Sequence, residues 1–130
     1  MSRRTSALAA VLGLVLVLPG QAGATDHGDP DRGRLVYGRC LACHSIARDA
    51  VGPRHAGLFG RKAGSVPGYD YSAAMRGSGI VWDAKTLDAF VKDPKATVPG
   101  TKMPFAGILD DQERADLIAY LQKATNVPAP

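Results

Sequence analysis

The sequence predicts a small all-α domain in which three main helices, some short ones and long loops wrap around one central cofactor. Helix patterns or start signals mark three segments, at 31–43, 84–92 and from 110 or 111 to about 125, and no segment keeps the period-two alternation of a strand. The stretches between them are rich in breakers: Gly52-Pro53, Gly57, Gly60, Gly64 and Pro67-Gly68 in one, Pro99-Gly100 and Pro104 in another. Loops of that length inside a compact domain need something to organise them, and a cofactor does so.

Each element has a local reason. Residues 1–24 read as an export signal: Ser2-Arg3-Arg4 is basic, Ala7 to Leu18 is an unbroken apolar run, and Ala22-Gly23-Ala24 puts small residues around a cleavage point near Ala24. The run is 12 residues, short of the about 20 that span a bilayer; an uncleaved anchoring helix is the alternative. The domain itself is expected over 25–130. Pro30 suits a first helical turn, where its missing N–H is no loss. Tyr71 to Arg76 forms a short helix before Gly77-Ser78-Gly79. Asp83 caps 84–92, with Leu87, Phe90 and Val91 on one face, and Asp93-Pro94 ends it. Asp110 or Asp111 caps the last helix, whose buried stripe is Leu117, Ile118 and Leu121 with Tyr120 beside it.

Charge excludes one class of partner. The chain has 16 Lys and Arg against 12 Asp and Glu; setting Arg3 and Arg4 aside leaves 14 against 12, or +2. No basic stripe is interleaved with aromatics, so nucleic acid is not an expected partner.

The chemistry lies in Cys40-Leu41-Ala42-Cys43-His44, the C-x-x-C-H attachment signature of c-type haem. Two thiols one helical turn apart can add to the two vinyl groups on one macrocycle edge, and the adjacent imidazole becomes an axial ligand. A disulfide here would close too short a loop to constrain the chain. A thioredoxin-like dithiol would need a preceding strand and leaves His44 unexplained. A zinc site would need two further ligands. For the second axial position the methionines are Met103, in the rigid run Pro99-Gly100-Thr101-Lys102-Met103-Pro104-Phe105, and Met75; His55 and His27 are alternative nitrogens. Flanking prolines and a glycine favour Met103, and a neutral thioether favours ferrous iron.

With these residues in view, the chain resembles class I cytochrome c, close to its mitochondrial and alphaproteobacterial members, from about Gly28 to Asn126. The strongest blocks beyond the attachment motif are 57–64, 99–103 and 113–121. The resemblance implies that Gly33 and Tyr37 cross Leu117 and Tyr120, and that the Pro53 carbonyl accepts the Nδ1–H of His44. It also implies that Arg61, Tyr71 and Trp82 hold the haem propionates. Three residues depart from the family: His55 stands for an apolar leucine, Phe90 for a tyrosine that bonds the methionine sulfur, and Met75 for a polar residue. The loop between His44 and Pro53 is shorter than in mitochondrial members.

The implied function is one-electron transport by a monomer in the periplasm, with no stable membrane insertion and no enzymatic turnover. It would shuttle between a quinol-oxidising cytochrome bc complex and an oxidase or photosynthetic reaction centre. The alternatives are a dedicated donor or acceptor for one periplasmic dehydrogenase or reductase, and a haem enzyme or gas sensor with a labile sixth ligand. Arg39, Lys95 and Lys102, with Lys62 nearby, match the cations that ring the haem edge and meet acidic partners. Leu109-Asp110-Asp111 replaces a lysine cluster, which weakens the expected steering.

Overall fold

A computed structural model describes residues 27–128, so the expected export signal at 1–24 lies outside the described residues. In chain order the helices are α1 (Pro30–Tyr37), α2 (Ala73–Gly77), α3 (Ala84–Lys92), α4 (Pro94–Thr97) and α5 (Asp111–Ala124). Among the described residues the only β pairing is an isolated bridge between Lys62 and Val81.

Helix α1 begins as the sequence predicts. The Asp29 carboxylate accepts the N–H groups of Asp31 and Arg32, and Pro30 occupies the first turn. It ends earlier than the expected 31–43. At Gly38 the chain tightens into a 3-10 turn, Gly38–Cys40, and the next turn is closed by His44 N–H donating to the Cys40 carbonyl at 2.8 Å. Glycine is a poor helix former, and the attachment motif thus sits on a turn of its own.

Helices α1 and α5 cross at a glycine. A Cβ on Gly33 would lie 1.9 Å from the Asp116 carbonyl oxygen and 2.8 Å from Tyr120 Cβ. The expected crossing is present, with Asp116 rather than Leu117 as the backbone that Gly33 meets. Beside it the Tyr37 and Tyr120 rings pack with centroids 5.2 Å apart. The buried Asp116 carboxylate ties the same crossing: it accepts the Asp29 N–H at 2.7 Å, Arg32 Nε at 2.8 Å and Gln112 Nε2 at 2.9 Å.

The remaining helices follow their caps. Asp83 and Thr86 form a reciprocal capping box at the start of α3. Ser72 caps α2, which starts at Ala73, two residues later than the expected Tyr71. Asp93-Pro94 ends α3 as expected but also opens α4, because Pro94 takes the first position and the Asp93 side chain accepts the Ala96 N–H. Asp110, the N-cap of α5, accepts the Glu113 N–H at 2.8 Å.

The 98–109 loop is clamped at its far end by Arg114, whose side chain is 4% exposed. Its Nη1 donates to the Ile108 and Leu109 carbonyls, both at 2.9 Å, its Nε to Asp88 on α3, and its Nη2 to Asp111. Ile108 N–H also donates to the Val91 carbonyl of α3 at 2.9 Å. The loop that carries Met103 is therefore pinned to two helices.

Candidate cofactor site

The helices and loops enclose a cavity of about 570 Å³, within the roughly 300–1,000 Å³ of cofactor pockets. Cys40, Cys43, His44, Pro53, Arg61, Tyr71, Trp82 and Met103 all line it, together with His55 and Met75. Leu58, Leu87, Phe90, Val91, Leu117 and Leu121 supply its apolar wall.

The His44 ring is fixed from two sides. Its Nδ1 lies 2.8 Å from the Pro53 carbonyl oxygen. That oxygen can only accept, so Nδ1 carries the proton and Nε2 keeps a free lone pair. Burial lowers the pKa of the ring, against the pull of this bond, and favours the neutral form that a metal needs. On the other side, a Cβ on Gly52 would meet His44 Cε1 at 2.3 Å, so no other residue fits there without moving the ring. Sequence reasoning read Gly52 only as a loop breaker. Its place before Pro53 was the available signal, and the contact with the ring was not.

Both cysteines are half-buried and are not joined to each other by a disulfide, and burial pushes the Cys40 thiol up to about 11. A redox dithiol needs a stabilised thiolate, so this environment speaks against the thioredoxin-like alternative. Among the described residues no cluster of three His, Cys, Asp or Glu side chains could hold a metal.

Of the alternative nitrogens, His27 is exposed and lies outside the cavity wall. The His55 ring stacks on the His44 ring, with centroids 4.3 Å apart and planes 24° apart, and its Nδ1 is 3.0 Å from the Tyr37 hydroxyl. Two imidazoles stacked in this way leave no room for an iron between their nitrogens. His55 is thereby removed as a ligand opposite His44. Met103 is half-buried and Met75 is buried on α2.

At the other end, Arg61 and Trp82 are brought together across the bridge, where Trp82 N–H donates to the Arg61 carbonyl at 3.0 Å. The Trp82 ring packs on Phe90, centroids 5.1 Å apart. Arg61 donates Nη1 to the Ala56 carbonyl at 2.7 Å and Nη2 to the Arg54 carbonyl at 3.0 Å, while its Nε is buried without a partner. A buried cation with an orphan donor fits an anionic group. The apolar wall, the two thiols, the free imidazole nitrogen and this cation together fit a haem with its carboxylates.

Two of the three expected docking cations carry acidic partners on their own chain. Arg39 makes a two-pronged contact with the Glu113 carboxylate at 2.8 and 2.7 Å. Lys102 Nζ donates to the Asp70 carboxylate at 2.7 Å. Lys95 is exposed and does not line the cavity. Asp110 and Asp111, in the run that the resemblance reads as replacing a lysine cluster, serve the α5 N-terminus and the Arg114 clamp.

A helical chain with an attachment turn beside such a cavity defines a class, the small covalent-haem proteins of electron transport. Comparison with known proteins narrows it. The Cytochrome c family model matches residues 30–125. The chain is 47% identical to cytochrome c2 of Rhodomicrobium vannielii over 86% of this chain and 90% of that one. It is 48% identical to cytochrome c-550 of Nitrobacter winogradskyi over 74% and 91%. The solved structure of cytochrome cH from Methylobacterium extorquens superposes with a TM-score of 0.72 at 43% identity, covering 74% of this chain and 99% of that chain. The protein belongs to the class I cytochrome c family. It binds one haem c covalently through Cys40 and Cys43 and is an electron carrier, not an enzyme.

Proposed function

We propose that the protein is a one-electron shuttle whose iron is held between His44 Nε2 and the Met103 sulfur. The observation that carries this is the His44 ring, oriented by the Pro53 carbonyl with Nε2 free, in a cavity whose wall also presents Met103. The haem supplies a one-electron Fe(III)/Fe(II) couple. The chain's residues do the rest. His44 is held neutral and cannot rotate. Met103 brings a soft, uncharged thioether that favours the ferrous state. The apolar wall excludes water, which keeps reorganisation small when the charge changes. Two protein ligands leave no open position for oxygen or peroxide. Arg61, Tyr71 and Trp82, which line the cavity, would hold the carboxylates of the bound haem.

The shuttle works in the periplasm, after export on the 1–24 signal, as a monomer. It moves electrons from a quinol-oxidising cytochrome bc complex to an oxidase or photosynthetic reaction centre, docking at the face of Arg39, Lys95 and Lys102. A second reading has its own support. The pairing of Arg39 with Glu113 and Lys102 with Asp70 weakens long-range steering, which favours a dedicated periplasmic partner recognised at short range.

Voltammetry of the purified holoprotein tests the shuttle. A single reversible one-electron wave, with no carbon monoxide binding by the reduced protein, is expected. Carbon monoxide binding, or no reversible wave, would overturn it.

A further inference from the structure

The loop after the attachment turn holds a second guanidinium that the electron-transfer reading does not use. The Arg54 side chain is 13% exposed. Asp49 closes a loop around it: one carboxylate oxygen accepts the Arg54 backbone N–H at 2.8 Å and the other accepts Nη1 at 3.0 Å. Behind it, the Arg54 carbonyl accepts Nη2 of Arg61 at 3.0 Å. The Nε atoms of Arg54 and Arg61 are both buried and both without a partner.

Two arginines, joined through the Arg54 carbonyl, therefore share one carboxylate, and that carboxylate is the more exposed member of its pair, with Asp49 at 31%. Within the pair the Arg54 side chain is the more buried end and Asp49 the more exposed one. Arg61 feels both: Arg54 lowers its proton affinity and Asp49 raises it, after the larger effect of burial. A surplus of buried positive charge is costly on its own. It is favourable beside a group that carries carboxylates and takes up an electron.

The geometry points to the Arg54 side chain as a group that, through its own charge partly balanced by Asp49, biases the bound haem toward the reduced state. This rests on the electron-carrier reading. Reduction adds one negative charge to a buried group, and a nearby buried cation stabilises it more than water would.

The test uses the holoprotein and three variants, Arg54→Gln, Arg54→Lys and Asp49→Asn, with midpoint potentials read by voltammetry. At the wild-type midpoint, Arg54→Gln lowers the ferrous-to-ferric ratio by about threefold or more, and Asp49→Asn raises it. Arg54→Lys, which keeps the charge, stays within about twofold of wild type. The shifts persist in added salt, because the group is buried. Unchanged ratios, or shifts of Arg54→Gln and Asp49→Asn in the same direction, as a merely loosened loop would give, overturn the inference. A wild type without a reversible couple removes the electron-carrier reading and this inference with it. A normal couple that Arg54→Gln leaves unmoved removes this inference alone.

Discussion

The imidazole of His55 lies on that of His44, centroids 4.3 Å apart, and is tied by its Nδ1 to the Tyr37 hydroxyl at 3.0 Å. Tyr37 in turn packs on Tyr120 of α5. The attachment turn is thus linked to the α1–α5 crossing through a polar side chain.

His55→Leu breaks that link and leaves the buried Tyr37 hydroxyl, in a residue 3% exposed, without its partner. The expected loss is about 1–3 kcal/mol in denaturant unfolding of the holoprotein. Adding Tyr37→Phe removes the orphan, so the double variant costs less than the sum of the singles. Additive losses would show that the hydrogen bond contributes nothing.

Gly52→Ala places a methyl group 2.3 Å from His44 Cε1. The ring cannot yield without losing the Pro53 carbonyl. The expected result is a lower yield of holoprotein and a perturbed low-spin spectrum, with wild-type yield and spectrum as the contrary outcome.

Gly33→Ala drives a Cβ to 1.9 Å from the Asp116 carbonyl oxygen, a backbone atom that cannot swing away. Forcing α1 off α5 is expected to cost about 3 kcal/mol, measured by thermal or denaturant unfolding. A near-neutral effect would mean that the crossing is looser than the structure shows.

Asp116 sets an acid limit. The Arg32 hydrogen bond foremost, then the Asp29 N–H and Gln112, hold its carboxyl at about 2 against the opposing effect of burial. A depressed carboxylate contributes stability that is fully present above its unfolded pKa of about 3.9 and lost as pH falls toward its folded value. Arg32 is exposed, which weakens the pair. Asp116→Asn is therefore expected to cost about 1–2 kcal/mol at neutral pH. The gap should close between pH 4 and the folded value of about 2. A gap independent of pH would assign the loss to packing.

Much of the site was legible because it is written in contiguous residues. The attachment turn, the Met103 loop and the caps Asp83 and Asp110 are local signals, and each stands where its pattern put it. The resemblance added Pro53, whose carbonyl does meet His44. What escaped depends on distant partners. The Arg39–Glu113 and Lys102–Asp70 pairs join residues far apart in the chain, and no local pattern marks them. The Arg114 clamp, the Gly52 contact and the Asp49–Arg54 loop likewise exist only once the chain is folded. Helix α4 was missed because Asp93-Pro94 both stops one helix and starts the next.

The most direct measurement compares optical and magnetic spectra of the Met103→Ala and Met75→Ala holoproteins with wild type. The account predicts that Met103→Ala loses the low-spin, methionine-ligated signal and gains carbon monoxide binding, while Met75→Ala keeps the signal. A Met103→Ala protein with the wild-type spectrum would contradict it.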